Sequence, residues 1–151
     1  MKKLVLLLFL TACSFKPIFS GNDVDVYVAP ISGINGIELR NSLNAQFGGA
    51  HDQSAKYHLE INLKEPGTRL KALDRTGVAT WQEVKLSASY VLKEGDKVIL
   101  RGSESASESY TFVRYLVASN ASYNNAVTNT INVLSDKISM RVISETQKNK
   151  K

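Results

Sequence analysis

Few side chains in this sequence are of the types that carry out covalent or metal chemistry. The chain contains one cysteine, Cys13, and two histidines, His51 and His58. A hydrolase needs a nucleophile with a base beside it, and a metal enzyme needs several ligands at workable spacing. Neither a G-x-S-x-G motif nor a glycine-rich phosphate loop occurs, and we expect both histidines to be ordinary surface residues. The sequence therefore predicts a protein that is not an enzyme and that binds no metal or dissociable cofactor.

The N-terminus has the composition of an export signal. Lys2 and Lys3 precede an unbroken apolar run over residues 4–10, which is too short for a membrane-spanning helix of about 20 residues. The run ends in Leu10-Thr11-Ala12-Cys13, which resembles the lipobox of bacterial lipoproteins. This resemblance implies cleavage before Cys13 and attachment of a diacylglycerol and an N-acyl chain to that cysteine. Because Ser14 is not the aspartate associated with inner-membrane retention, we expect delivery to the outer membrane.

The chain length and the charge of the mature protein limit its size class and its partners. Without Lys2 and Lys3, 17 basic side chains remain against 14 acidic ones, which gives a net charge of +3. This excess permits contact with anionic lipid or lipopolysaccharide (LPS), but it falls well short of a nucleic-acid-binding surface. A chain of 151 residues suits a single domain. We divide it into a signal peptide (1–12), a lipidated tether (13–22), one domain (23–146) and a polar tail (147–151).

Hydrophobic periodicity predicts the strands and helices of this domain. Alternation of apolar and polar residues predicts four strands, over residues 24–28, 57–63, 84–92 and 98–112, and the Gly95-Asp96 pair predicts a hairpin between the last two. Leu39, Leu43 and Phe47 predict a first helix, at whose start Asn35 and Glu38 have the spacing of a capping box. A second helix over about residues 119–145 is predicted by an apolar stripe formed by Val127, Ile131, Leu134, Ile138 and Val142.

This order of elements predicts an α+β fold. We expect a two-layer sandwich, in which two helices pack on one face of a mostly antiparallel four-stranded sheet. The last two strands, which are long, would form a two-stranded ribbon within that sheet.

Three sets of side chains are candidates for binding. Residues 68–78 are predicted to form a loop, and Arg69, Lys71 and Arg75 in it could either bind the phosphates of lipid A or simply be solvated. Small hydroxyls along one face of the ribbon would face solvent or allow close contact with the wall of another protein; they belong to Ser87, Ser89, Ser103, Ser105, Ser107 and Ser109. Aromatic residues near the strand ends fit core packing and an interface equally well; they are Trp81, Tyr110, Phe112 and Tyr115.

The segment after the lipobox resembles a known family. Cys13-Ser14-Phe15-Lys16-Pro17-Ile18-Phe19 is similar to the start of the LPS-assembly lipoprotein family, LptE, in its alphaproteobacterial branch. There a lipidated cysteine precedes a small residue, Phe, a variable residue, Pro, an aliphatic and an aromatic residue. Residues 37–43 and 57–59 are similar to the first helix and the second strand of the family. The family commonly has glycine directly before the cysteine, where this chain has Ala12, a residue that the lipobox tolerates.

The resemblance implies a function and a set of partners. Members of the family are non-enzymatic subunits of the outer-membrane LPS translocon, which occupy the lumen of the LptD β-barrel, assist its assembly and help to deliver LPS to the outer leaflet. The implied partners are an LptD-type barrel, LPS and the inner leaflet of the outer membrane, which the acyl chains on Cys13 would enter. Two alternatives remain open: an accessory periplasmic lipoprotein of a lipid-transport ABC system, and an envelope lipoprotein that supports the assembly of another machine.

Overall fold

The structure of the chain is a computed structural model that describes residues 24–77, 79–113 and 115–149. The predicted signal peptide, Cys13 and the tether lie outside the described residues. The elements are β1 (Val26–Val28), α1 (Ile34–Gln46), β2 (Tyr57–Leu63), β3 (Gly67–Leu73), β4 (Ala79–Glu94), β5 (Lys97–Thr111) and α2 (Leu116–Lys148). The α+β class is confirmed, with two helices packed on a mostly antiparallel sheet. The described sheet has five strands, so the predicted number of four is wrong.

The sheet is organised around β4, which is paired along both of its edges. β5 runs antiparallel to it over nearly its whole length, and the two-residue turn at Gly95-Asp96 joins them as predicted. Gly95 has a φ of +56°, a conformation that suits glycine in tight hairpin turns. On the other edge, β2 pairs with the second half of β4 and β3 pairs with the first half. β1 extends the sheet beyond β2 and is parallel to it.

The additional strand, β3, occupies residues that the sequence predicted as a loop. β2 ends at Leu63, shortly before Pro66, which cannot donate a ladder hydrogen bond. Pairing with β4 resumes at Gly67 in the same direction, with the register displaced by one residue. All seven residues of β3 are exposed, so the short alternation Arg69-Leu70-Lys71-Ala72 does not correspond to a buried face. Backbone pairing with β4 therefore defines this strand.

The core lies between the sheet and the helices. On β4 the apolar residues of the alternation in 84–92 are buried: Val84, Leu86, Ala88, Tyr90 and Leu92. On the helices both predicted faces are buried as well: Leu39, Leu43 and Phe47 at α1, and Val127, Ile131, Leu134, Ile138 and Val142 on α2. Because side chains alternate along a strand, the odd-numbered residues of β4 lie on the opposite face, away from the helices.

The helix boundaries differ from those predicted. Gly33 precedes α1 with a φ of +82°, and no side chain caps the helix. Asn35 is already within the helix, so the predicted capping box is wrong. The 33 residues of α2 span about 50 Å, and the helix includes Gln147 and Lys148, which belong to the predicted polar tail. Within the part of the chain that the structure describes, neither helix is both long and apolar enough to cross a membrane.

Candidate interaction surfaces

The serines singled out in the sequence lie on the helix-free face of the ribbon formed by β4 and β5. The register of the two strands is regular from Trp81↔Thr111 to Leu92↔Leu100, which places the side chains of odd-numbered residues of both strands on this face. Ser87 is opposite Ser105, and Ser89 is opposite Ser103. We call this surface the serine face; it consists of Ser87, Ser89, Ser103, Ser105, Ser107 and Ser109.

The serine face is polar and accessible. Ser87 is partly buried, and the other five serines are exposed. A hydroxyl both donates and accepts hydrogen bonds, so such a face can contact water or protein groups of either kind. Ser107 and Ser109 have Lys85 and Glu83 as their cross-strand neighbours, which adds charges of both signs. The surface is thus suited to a broad, hydrated contact with another macromolecule.

The three predicted basic residues lie at one end of the sheet. Arg69 and Lys71 are on β3, and Arg75 is in the turn between β3 and β4. Asp74 shapes this turn, because its carboxylate accepts hydrogen bonds from the backbone N–H (2.8 Å) and the hydroxyl (2.6 Å) of Thr76. The structure therefore places the three cations in one hairpin, although two of them belong to a strand and not to the predicted loop.

One of these cations is held by an ion pair. The Nζ of Lys71 lies 2.6 Å from Oε2 of Glu83 on β4. The hydrogen bond from Lys71 holds the pKa of the Glu83 carboxyl below its usual range, and the positive charges of Lys71, Arg69 and Lys85 act in the same direction. Part of the positive charge of the hairpin is thus neutralised locally by Glu83.

Large apolar side chains surround the same end of the sheet. Leu70, Leu73, Trp81, Tyr115, Leu116 and Val117 are between 49% and 83% exposed. The sheet register brings these segments together, because Ala72 pairs with Trp81, which pairs with Thr111, just before the start of α2. We call this end the distal tip; it consists of the six apolar residues with Arg69, Lys71 and Arg75.

The composition of the distal tip points to a ligand class. Large exposed apolar side chains at one end of a sheet are candidates for an interaction site. Cationic side chains beside them can form charge-assisted hydrogen bonds with phosphate. An amphiphile with an anionic headgroup would satisfy both parts. The cations could be predicted as candidates from the sequence, but Leu70, Leu73, Leu116 and Val117 were not. Large apolar residues close to polar turns were the feature of the sequence that could have indicated them.

The four aromatic residues near the strand ends divide between the core and the surface. Tyr110 is buried, donates a hydrogen bond from its hydroxyl to Oε1 of Gln82 (2.6 Å), and packs edge to face on Tyr123. Burial raises the pKa of its phenol. Trp81 and Tyr115 are exposed at the distal tip, and Phe112 is half-buried. Tyr110 and Trp81 differ because even- and odd-numbered positions of the ribbon face opposite sides of the sheet.

Both histidines make side-chain contacts at the surface. Nδ1 of His51 lies 3.6 Å from Oδ1 of Asp25, and the ring of His58 packs edge to face on Tyr27, with a centroid distance of 5.5 Å. Each ring is partly exposed. Among the residues described, no group of three or more histidine, cysteine, aspartate or glutamate side chains is arranged to hold a metal ion.

Comparison with known proteins identifies similar folds at low sequence identity. No protein-family model matches the chain, and no curated protein sequence is significantly similar to it. A protein from Caulobacter crescentus has a TM-score of 0.64 at 18% identity, covering 82% of this chain and 91% of its own. Rare lipoprotein B from Shewanella oneidensis has a TM-score of 0.64 at 14% identity, covering 82% of this chain and 96% of its own. Lipoprotein B from Nitrosomonas europaea has a TM-score of 0.63 at 12% identity, covering 81% of this chain and 83% of its own. At these identities the likeness establishes the fold alone.

Proposed function

We propose that this protein is a lipid-anchored subunit of the LPS translocon of the outer membrane. In this role it occupies the lumen of an LptD-type β-barrel, assists the assembly of that barrel and helps to deliver LPS to the outer leaflet. The serine face is the observation that carries the proposal. A barrel lumen is polar and hydrated, and small hydroxyl side chains allow a sheet to lie close to such a wall while exchanging hydrogen bonds with it.

Two further observations support the proposal. The lipobox at Cys13 implies acyl chains that would hold the protein on the periplasmic face of the membrane, since two or more chains give stable anchoring. The fold is shared with rare lipoprotein B of Shewanella oneidensis and lipoprotein B of Nitrosomonas europaea, and we extend the lipoprotein character of these proteins to this chain. The sequence resemblance around Cys13 supplies the link to LPS.

The distal tip is the proposed LPS contact. LPS carries phosphates on a diglucosamine headgroup and several acyl chains, so it is an anionic amphiphile. Arg69, Lys71 and Arg75 would bind the phosphates, and the exposed apolar residues of the tip would cover part of the acyl chains. We treat this protein as a binding and assembly subunit without catalytic activity of its own.

A pull-down of the tagged, acylated protein from envelopes in mild detergent tests the proposal. We expect one outer-membrane β-barrel of LptD type, recovered in equal amounts. A photo-crosslinking residue at Ser105 on the serine face should react with that barrel, whereas the same residue at exposed Asn132 on α2 serves as a matched position on the opposite layer. Crosslinking should be stronger from Ser105, because the serine face is the proposed contact with the wall.

Other outcomes would redirect the assignment. Recovery of an inner-membrane ATPase or permease would favour an accessory lipoprotein of a lipid-transport ABC system. Recovery of no membrane protein would remove the translocon assignment altogether. Recovery of the barrel with crosslinks from Asn132 alone would keep the partner but remove the serine face as the contact.

A further inference from the structure

We infer that the outer edge of β5 binds an extended segment of another protein, which adds to the sheet as a further strand. β5 is 15 residues long and is paired with β4 on one side. Among the residues that the structure describes, no strand pairs with its other side. Long unpaired edges of this kind are templates for strand addition. The inference is independent of the proposed function.

The outward-facing backbone groups of β5 can be identified. The N–H of Phe112 donates to the carbonyl of Thr80 on the β4 side (2.9 Å), so in this regular antiparallel ladder the even-numbered residues of β5 bond to β4. The odd-numbered residues then direct their N–H and C=O groups outward. Consistently, the carbonyl of Ser105 accepts a hydrogen bond from Nζ of Lys137 on α2 (2.8 Å). This lysine covers a single carbonyl of the edge.

Two common protections of an edge strand, a proline and a bulge, are missing from the rest of this one. Either of them normally prevents strand addition. Residues 101–111 contain no proline, and the register shift between β4 and β5 lies at Leu92/Lys93, outside this stretch. The odd-numbered side chains at 103, 105, 107 and 109 are serines, which leave space for a neighbouring backbone.

Charge indicates the composition of the incoming strand. Two glutamates of β5 face the helix side of the sheet, Glu104 and Glu108. Oε1 of Glu104 lies 2.6 Å from Nε of Arg141, whereas Glu108 is partly buried beside Val84 and forms no ion pair with any described residue. A lysine or arginine opposite Glu108 would supply the missing charge. The occupant is therefore an extended segment in which basic residues alternate with small polar ones.

A second copy of this chain fits the edge less well. Residues 103–109 read Ser-Glu-Ser-Ala-Ser-Glu-Ser, so antiparallel self-pairing centred on Ala106 would place Glu104 opposite Glu108 of the second copy. Like charges directly opposite each other destabilise a sheet. We therefore assign the edge to a basic segment of a different protein.

The experiment uses the full acylated protein in detergent and a fluorescent peptide of alternating threonine and lysine. Ser107→Pro removes one outward N–H and leaves the β4 ladder intact, and Ser107→Ala keeps the N–H as the matched control. We expect Ser107→Ala to bind the peptide like the wild type and Ser107→Pro to bind it about tenfold more weakly.

The charge of the occupant is tested separately. Glu108→Gln should also weaken binding of the peptide, and a peptide with glutamate in place of lysine should not bind. Equal affinity of the proline and alanine variants would overturn the inference.

Amide hydrogen exchange tests the same edge without a substitution, should Ser107→Pro fail to fold. In the wild type, the peptide should slow exchange at Ser103, Ser107 and Ser109, while the amide of Ala106, which already faces β4, should change little. Unchanged exchange at the three serines would contradict strand addition. Protection of these amides without peptide, together with dimer formation, would show that a second copy occupies the edge and would also overturn the inference.

Discussion

The ring of Tyr90 on β4 lies directly against Gly102 on β5, in the space that a Cβ at Gly102 would occupy. The two residues are cross-strand partners on the helix side of the sheet, and Tyr90 is almost completely buried. An aromatic ring that covers a glycine on the neighbouring strand recovers packing that the glycine itself cannot provide. Gly102 is thus required here by a close approach, because its position leaves no room for a side chain.

Replacing Gly102 with alanine should destabilise the protein. The added methyl group would displace a buried ring, and overpacking of this kind costs about 1–3 kcal/mol. Gly67→Ala on β3 is the control, because the nearest atom to its added Cβ would be the carbonyl oxygen of Lys85 at 4.0 Å. Urea unfolding of both variants measures the difference. An equal loss of unfolding free energy in the two variants would contradict the packing argument.

Replacing Lys71 with serine should raise the pKa of Glu83 toward its usual value of 4.5. The hydrogen bond from Lys71 is the main cause of the lowered pKa, and removing it also removes a nearby positive charge. Carboxyl carbon NMR titration measures this shift, with Lys97→Ser at the far end of the ribbon as the control. A Glu83 pKa that stays unchanged in Lys71→Ser would show that the ion pair does not persist in solution.

The same ion pair makes the free energy of unfolding depend on pH. The pKa of Glu83 is lower in the folded protein than in the unfolded chain, so the stabilisation by this ion pair is fully present above the unfolded pKa. The contribution is lost as the pH falls through the folded pKa. Lys71→Ser should therefore reduce the acid dependence of the unfolding free energy, and it should do so weakly because the pair is on the surface.

Replacing Arg69, Lys71 and Arg75 with serine should weaken LPS binding at low salt by about tenfold or more. Added salt should reduce the difference in affinity between the wild type and this variant, because salt screens exposed charges. Trp81, the only tryptophan in the chain, belongs to the distal tip and reports binding through its fluorescence. A variant with serine at Lys97, Arg101 and Lys148 removes the same charge elsewhere. Unchanged LPS binding by the tip variant, or equal weakening in both, would remove the basic residues from the proposed site.

Replacing Gln46 with alanine should destabilise the contact between the two helices. Its Nε2 donates to Ser135 (3.1 Å) and to Asp136 (2.7 Å), and its Oε1 accepts from the hydroxyl of Ser139. Ser135 and Ser139 are fully buried, and buried hydroxyls that lose a partner cost about 1–3 kcal/mol. Gln147→Ala, at an exposed position of α2, is the control. Thermal or urea unfolding should show a loss in Gln46→Ala that is absent in the control.

The elements that bury one face could be predicted from the sequence because burial leaves a period in it. The alternation in residues 84–92 and the stripe from Val127 to Val142 correctly predicted which side chains form the core. The same alternation predicted that Ser87, Ser89, Ser103, Ser105 and Ser107 would share a face, because the parity of a position within a strand fixes its side. The hairpin at Gly95 was predictable since few residues adopt a positive φ.

Contacts between distant segments decided the features of the fold that could not be predicted from the sequence. Strand β3 could not be predicted, since all of its side chains are exposed and only hydrogen bonds to β4 define it. The start of α1 at Gly33 depends on backbone conformation, and the spacing of Asn35 and Glu38 suggested a different start. The distal tip arises because β3 and β5 both pair with the first part of β4, which makes Ala72 and Thr111 cross-strand neighbours of Trp81; α2 begins shortly after Thr111. The sequence determined the faces of the strands and helices, and the tertiary structure decided which exposed faces lie side by side, because strand pairing and register are set by long-range contacts.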